Sequence, residues 1–350
     1  MGQPMTIDAL VTRSERAQPA SVFSWALIGA TMLPFVAFAS HLTVAVPALL
    51  LVLMLGGTHV PATGYLFTDP EVRRFCRANP IKMIVVPSIL MVVAFSIFIR
   101  PGPLFAPAAL ALFLFQTWHF GAQTIGVASF ISLSDRGRPL ARFEKAAIKT
   151  GICVGMLGVL HVMSPNFTIG EAYMPLPAEV TAVLRILYEI GKVLAVPLAG
   201  AALWFAITAW RQGQRPFGAA IFLSITFLFP MYLTRDFTIG YTSFVTAHGL
   251  QYLIFLAAHS AGRDRQRPSR SRLAAPAILL LFILGVGPTF IYVQSLHTAD
   301  LQTFGLAIVL AVSLVHFWLD RFLWRMKDKD RAAWIKARFG AVLRPRPSIA

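Results

Sequence analysis

The chain alternates between long apolar segments and short polar ones. Apolar residues occur in runs, without the alternation of a half-buried strand or the periodic stripe of an amphipathic helix. A membrane-spanning helix needs roughly 17–25 mostly apolar residues. Such segments lie near 23–40, 43–66, 83–99, 104–131, 147–163, 190–210, 217–233, 240–260, 274–293 and 301–324. The pattern predicts an all-α fold, a polytopic transmembrane helix bundle of about ten spans.

The sixth apolar segment is preceded by a more polar stretch. Residues 178–210 are together too long for one span, and the first part carries Arg185, Glu189 and Lys192. We therefore expect an interfacial helix that leads into the span.

Basic residues alternate between the two sides of this predicted topology. The segments 1–22, 68–82, 136–149, 211–215, 263–272 and 321–350 hold 27 of the 31 Lys and Arg residues. The loops on the other side hold only Arg100 and Arg235. Because cytoplasmic loops of membrane proteins carry such an excess of Lys and Arg, both termini are predicted to be cytoplasmic.

This topology divides the chain into three regions. A polar cytoplasmic N-terminal tail covers 1–22, a transmembrane helical domain covers 23–325, and a basic cytoplasmic C-terminal tail covers 326–350. The short loops, without targeting or glycosylation features, indicate a bacterial inner membrane as the location.

Composition supports the membrane assignment and excludes other classes. The chain is 57% hydrophobic and 13% charged, about half the charged fraction of a soluble domain. Its net charge of +16 is spread over all cytoplasmic loops, which favours anionic lipid headgroups as partners rather than nucleic acid. Cys76 and Cys153 are the only cysteines, so a disulfide framework or a cysteine metal site is excluded.

Four of the eight histidines lie well inside predicted spans, whereas His41, His161 and His297 lie at outer span ends or in an outer loop and His259 lies at the inner end of the eighth span. The four inside are His59, His119, His248 and His316, on the second, fourth, eighth and tenth spans. All four spans run from outside to inside, and each histidine is about 12–18 Å from the inner end of its helix. Polar residues at this depth are costly unless they are paired or functional. Four imidazoles at one level of a bundle predict a metal site.

Polar neighbours on the same helix faces strengthen this prediction. Gln123 follows His119, Gln251 follows His248 and Asp320 follows His316 by one helical turn. We expect Asp320 to be a fifth ligand or to orient an imidazole, and Gln123 and Gln251 to fix imidazoles through hydrogen bonds. Imidazole binds iron, zinc and other transition metals alike, so the metal is open at this point.

The apolar character of the spans points to a hydrophobic substrate. A lipid, fatty chain or isoprenoid entering between helices suits a metalloenzyme that carries out oxidative chemistry, with iron as the expected metal. Two alternatives stay open. One is a proton-coupled carrier in which the histidines relay protons and Asp320 with Arg321 forms a gate. The other is a non-catalytic membrane scaffold whose histidines join helices.

Three histidine segments resemble a known enzyme family. GGTHVPATGYLF, FLFQTWHFGAQ and SLVHFWLD are similar to segments of the bacterial Brp/Blh-type carotenoid oxygenases, multispan enzymes. The resemblance implies a non-haem iron held by His59, His119, His248 and His316, and cleavage of β-carotene to retinal.

The chain also departs from the family. Gln123 stands where the family has a second histidine, and the Gly-rich histidine segment lacks a nearby Asp. The resemblance therefore supports the iron more than the carotenoid. The closing pattern His316, Asp320, Trp324 and Arg325 is similar to that of other bacterial polytopic membrane proteins of unassigned function.

Overall fold

The structure, a computed structural model, is helical apart from one short hairpin. It describes residues 22–33, 35–36, 58–100, 104–163, 168–169, 172–173, 178–233, 237–264, 274–286, 299–325, 328–340 and 342–343. The hairpin pairs β1 (Thr168–Ile169) with β2 (Ala172–Tyr173) in antiparallel register, Thr168 opposite Tyr173. The all-α class predicted from the apolar pattern is confirmed.

Twelve helices are described, and they follow one another along the chain. In the first half they are α1 (Val22–Leu33), α2 (58–62, continued by a 3₁₀ turn Thr63–Thr68), α3 (Pro70–Ala78), α4 (Ile81–Phe98, starting as a π-helix Ile81–Val85), α5 (Phe105–Arg136) and α6 (Arg142–Met163). In the second half they are α7 (Ala178–Arg211), α8 (Arg215–Thr226, followed by a 3₁₀ turn Phe229–Tyr232), α9 (Phe237–Asp264), α10 (Ala274–Val286, of which Phe282–Val286 is a π-helix), α11 (Ala299–Leu323) and α12 (Lys329–Phe339).

Among the residues that the structure describes, two helices, α4 and α7, are long and apolar enough to cross a membrane by length and composition. Their apolar side chains are largely exposed: Val92 is 64% exposed, and Val193 and Val196 are 70% and 73% exposed. Large apolar surfaces of this kind indicate contact with a membrane or with a partner.

Two predicted spans differ from the helices that form. Residues 178–211 make one continuous helix of 34 residues rather than an interfacial helix and a separate span. Arg185, Glu189 and Lys192 lie on its exposed side, so no charge has to be buried, and the helix continues through Pro197. In the 217–233 segment the α-helix ends at Thr226, because Pro230 cannot continue it and the chain turns into the 3₁₀ turn.

Some predictions fall outside the described residues. These are the N-terminal tail up to residue 21, most of the second predicted span (43–57), and the histidines at 41 and 297. Part of the predicted C-terminal tail is helical, because α12 lies within it.

Close helix contacts hold the bundle together where glycines allow them. A Cβ on Gly121 of α5 would meet Ile152 of α6 at 2.6 Å, and one on Gly151 of α6 would overlap the carbonyl oxygen of Ile225 on α8. Small residues at such crossings let helix backbones approach closely. Gly121 lies two residues from His119, so the α5–α6 contact fixes the helix that carries this histidine.

The C-terminal helix α12 closes one end of the bundle around the carboxylate of Asp69. Arg338 Nε lies 3.1 Å from Asp69 Oδ2, and His259 Nε2 lies 3.3 Å from the same oxygen. Asp69 and His259 are fully buried. A Cβ on Gly262 would overlap the carbonyl oxygen of Arg338, so α9 and α12 touch through their backbones. A single carboxylate thus joins α9, α12 and the loop before α3.

The surroundings of Asp69 favour its ionised form. Burial alone would raise the pKa of this carboxyl. Hydrogen bonds from His259 and the Glu71 amide, together with the charge of Arg338, outweigh burial and hold the pKa below its ordinary value. A carboxyl whose pKa is lowered by folding stabilises the fold above its unfolded pKa of about 4, and this stabilisation is lost as the pH falls through the native pKa.

We expect Asp69→Asn to lower the free energy of unfolding by about 3–5 kcal/mol at neutral pH, because it removes the buried negative charge that faces the buried guanidinium of Arg338. The matched control is Glu71→Gln, since Glu71 also contacts Arg338, at 3.3 Å, but its side chain is 44% exposed. The control should cost less than about 1 kcal/mol. Thermal unfolding in detergent measures both, and the Asp69→Asn deficit should shrink as the pH falls below about 4. Equal losses in the two variants would contradict this account.

Candidate metal centre

The four predicted histidines come together from four helices. His59 lies on α2, His119 on α5, His248 on α9 and His316 on α11. His59, His248 and His316 are buried, with exposures of 3%, 0% and 2%, whereas the side chain of His119 keeps 14% of its surface accessible. The four histidines that are predicted to share one level of the bundle lie together in the structure as one cluster of imidazoles.

The imidazole rings are close neighbours. The ring centre of His59 lies 4.6 Å from that of His248 and 5.0 Å from that of His316. The ring centre of His119 lies 4.9 Å from that of His248 and 5.7 Å from that of His316. The rings of His248 and His316 are separated by 6.2 Å.

These spacings match those of imidazoles around one ion. A bound ion lies about 2 Å from the ligand nitrogen and hence about 3 Å from the ring centre. Two imidazoles on one ion therefore have ring centres roughly 4.5 Å apart at right angles and roughly 6.5 Å apart when opposite. The measured separations, from 4.6 to 6.2 Å, all fall in this interval.

Asp320 brings a carboxylate to the same cluster. Its Oδ2 atom lies 3.5 Å from Nε2 of His316 and 3.8 Å from Nε2 of His119. Two groups of potential ligands result, one of His59, His248 and His316 and one of His119, His316 and Asp320, and within each group the ligand atoms lie within 4.8 Å of one another. Ligand atoms on one ion are about 3–4 Å apart, so small side-chain rotations would bring these groups to coordinating distance.

Several buried nitrogens of the cluster have no hydrogen-bond partner among the described residues. They are Nε2 of His119, both ring nitrogens of His248 and Nε2 of His316. A buried polar atom without a partner costs about 1–3 kcal/mol, so such atoms call for an explanation. A metal ion would bind the lone pair of one nitrogen on each ring, and the residues present therefore fit a transition-metal ion. Imidazole with carboxylate does not select one metal, since the set suits iron, zinc and other ions alike.

Aromatic rings close the cluster on one side. The ring of Phe317 lies 4.4 Å from that of His119, and the ring of Phe120 lies 4.8 Å from that of His248, both at shallow angles. Both phenylalanines are 2% exposed. They keep water away from the imidazoles they cover.

The two predicted glutamines hydrogen-bond near the cluster, but through other atoms than expected. Gln123 Nε2 donates to the backbone carbonyl of His248 at 3.0 Å and to Oε1 of Gln251 at 2.9 Å. Gln251 Nε2 donates to Oγ1 of Thr31 at 2.7 Å. The two amides therefore join α5, α9 and α1 near the backbone of His248. They do not form the predicted hydrogen bonds to imidazole nitrogens; they bond to a backbone carbonyl, to each other and to Thr31.

Sequence reasoning missed two hydroxyl groups that contact the cluster. Thr63 Oγ1 lies 2.7 Å from Nδ1 of His316, and Tyr252 Oη donates to Oδ1 of Asp320 at 2.9 Å. A signal was present, since each histidine is followed four residues later by a polar residue: Thr63, Gln123, Tyr252 and Asp320. These residues form a polar layer one turn along from the imidazole layer.

One further histidine belongs to a different place. His259 lies on α9 three turns beyond His248, beside Asp69 and the ring of Trp334. It is part of the contact that holds α12 and not of the imidazole cluster.

Comparison with protein-family models, with curated proteins and with solved structures finds no match to this chain. The chemistry of the site is inferred from the geometry of the cluster itself.

We expect added Zn²⁺ to stabilise the metal-free protein against thermal unfolding. A ligand at 100 times its dissociation constant contributes about 2.7 kcal/mol to the free energy of unfolding. The increase in melting temperature on addition of Zn²⁺ should vanish in His248→Ala. It should persist in His161→Ala, because His161 lies on α6, which carries none of the four histidines. Thermal melts of each protein with and without Zn²⁺ measure the shift within each variant, and an unchanged shift in His248→Ala would place the metal elsewhere.

Proposed function

We propose that this chain is a membrane-embedded metalloenzyme, a non-haem iron oxygenase that acts on a hydrophobic lipid or isoprenoid substrate. The observation that carries the proposal is the convergence of four imidazoles and Asp320, as two groups of potential ligands that share His316, in buried, largely apolar surroundings. When bound there, an iron ion would supply oxygen activation.

The chain's own residues have separate tasks in this proposal. His59, His119, His248 and His316 would hold the ion as neutral ligands, and Asp320 would contribute a negative charge that partly balances it. Phe120 and Phe317 exclude water from the imidazoles. Their apolar rings suit a hydrocarbon chain better than a polar solute.

The difference in exposure among the four histidines favours a route for the substrate along α5. His119 keeps 14% of its side-chain surface accessible, and Phe115, one turn earlier on the same helix, is 39% exposed. Phe115 also lies 6.0 Å from Phe317. A substrate that arrives sideways over Phe115 would meet His119 before the buried histidines.

Membrane insertion is part of the proposal. The exposed apolar sides of α4 and α7 support it, and α5, α6, α9 and α11 have 32, 22, 28 and 25 residues, enough to span a bilayer. We extend this to about ten spans with cytoplasmic ends in a bacterial inner membrane, as the distribution of Lys and Arg predicts. Anionic headgroups would then face the basic loops.

The carrier alternative is less well supported by the surroundings of Asp320. The predicted gate pairs it with Arg321, but the guanidinium of Arg321 lies over the ring of Phe322 at 6.0 Å, on the exposed side of α11. Uptake into proteoliposomes that depends on a pH gradient would favour the carrier.

We expect the iron-loaded protein in detergent to consume oxygen when it is given β-carotene, the substrate that the resemblance implies, or another isoprenoid or fatty chain. Oxygen-electrode traces with mass analysis of the products measure this reaction. The rate of oxygen consumption should fall to background in His119→Ala, whereas His161→Ala should consume oxygen at the wild-type rate. Iron-loaded protein that consumes no oxygen with any of these substrates would contradict the proposed oxygenase.

A further inference from the structure

A groove opens on the surface of the bundle where residues of α1, α7 and α8 meet. It has a volume of about 540 Å³ and is lined by Trp25, Ile207, Trp210, Arg211 and Arg215. This volume lies within the range of small-molecule sites, about 300–1,000 Å³. None of the five lining residues belongs to the imidazole cluster, so the groove is a separate place at which a molecule can bind.

The turn between α7 and α8 brings two arginines to this groove. α7 ends at Arg211 and α8 begins at Arg215, and between them Gly213 has a φ of 76°. This left-handed conformation favours glycine and ends the helix, so the chain can start the next helix after three residues. Both arginines are exposed and line the same groove, which therefore carries two positive charges.

No carboxylate of the described residues lines the groove. The ion pairs between described arginines and acids use Arg136, Arg138 and Arg338. Asp135, near the start of α8, accepts from the backbone amide of Phe217 at 3.2 Å and lies outside the lining. An anion in the groove would thus meet two guanidinium groups, whose planar fork matches the geometry of phosphate.

Two tryptophans give the groove large apolar surfaces. Trp25 and Trp210 are 46% and 50% exposed. Trp210 is held against α8, because its Nε1 donates to the carbonyl of Arg215 at 3.1 Å and a Cβ on Gly218 would overlap its indole. Half of a large ring therefore stays uncovered although its polar atom already has a partner. Tryptophan is enriched at the two surfaces of a membrane, where apolar and polar surroundings meet.

The groove changes from charged to apolar along α7. Ile207 lies one turn before Arg211 on the same side of the helix, and Leu203, a further turn before it, is 49% exposed. In the predicted topology Arg211 lies at the cytoplasmic surface of the membrane, and the earlier turns of α7 lie deeper. A phospholipid has the same order, with a phosphate at the surface and acyl chains below it.

We infer that this groove binds one anionic phospholipid of the cytoplasmic leaflet. Its phosphate is bound by Arg211 and Arg215, and one acyl chain lies against the two tryptophans and Ile207. The inference rests on the membrane insertion that is part of the proposed function, and adds a specific lipid site to it. A soluble nucleotide fits less well, because the lining offers no amide, hydroxyl or carboxyl side chain with which to recognise a base.

Brominated lipids test this site, since bromine quenches indole fluorescence on contact. Detergent-purified protein is titrated with phosphatidylglycerol whose acyl chains carry bromine. We expect saturable quenching, a much weaker effect of phosphatidylcholine with the same brominated chains, and a smaller quenched fraction in Trp25→Phe. Unlabelled phosphatidylglycerol should reverse the quenching, whereas inorganic phosphate at the same concentration should not.

A pair of charge-matched variants separates a specific site from general attraction between charges. Arg211→Gln/Arg215→Gln should raise the midpoint for phosphatidylglycerol roughly 30-fold, because each cation at an anionic headgroup contributes about a factor of five. The control is Arg74→Gln/Arg77→Gln, since these arginines are exposed on α3, on the same predicted side of the membrane. The control removes the same amount of charge and should keep the wild-type midpoint.

The outcomes separate this inference from the proposed function. Equal midpoints for the two lipids, equal losses in the two double variants, or displacement of the lipid by inorganic phosphate would overturn the lipid site. Protein that stays monodisperse without detergent would defeat membrane insertion itself. Protein that binds phosphatidylglycerol as expected but holds no metal would defeat the metalloenzyme and leave the lipid site established.

Discussion

An imidazole removed from water needs a partner for each ring nitrogen, and this requirement organises the centre of the bundle. Four imidazoles are brought together where bulk water is excluded, and several of their nitrogens lack a hydrogen-bond partner among the described residues. The cost of such atoms is a large fraction of the stability of a protein. A metal ion bound by lone pairs of the imidazoles would compensate for this cost.

The surroundings of the imidazoles differ on their two sides. One turn further along the four helices lie Thr63, Gln123, Tyr252 and Asp320, which are joined to the cluster or to each other by hydrogen bonds. Against the ring faces of His119 and His248 lie phenylalanines. In the proposed metal centre the polar layer would orient the ligands, and the phenylalanines would shield the imidazoles from water. The hydrophobic substrate of the proposed enzyme would bind on the aromatic side for the same reason.

A feature of the site can be predicted from the sequence when it depends on residues close together in the chain, and not when it depends on how distant segments pack. The depth of a residue in an apolar run is a local property, so the four histidines and Asp320 could be predicted from spacing alone. The partners of Gln123 and Gln251 could not, because an amide chooses between an imidazole and a backbone carbonyl according to how two helices are rotated. The contact between Asp69 and Arg338 joins residues far apart in the chain and leaves no periodic signal. The end of α8 was missed because hydropathy does not register the effect of Pro230.

The central claim is that His59, His119, His248, His316 and Asp320 hold one transition-metal ion. Elemental analysis of detergent-purified protein, produced with iron supplied and compared with His119→Ala, tests it most directly. The account predicts about one ion per chain, with iron as the expected metal, and loss of most of that metal in the variant. Well-folded wild-type protein without iron, zinc or another transition metal, or the same metal content in both proteins, would contradict it.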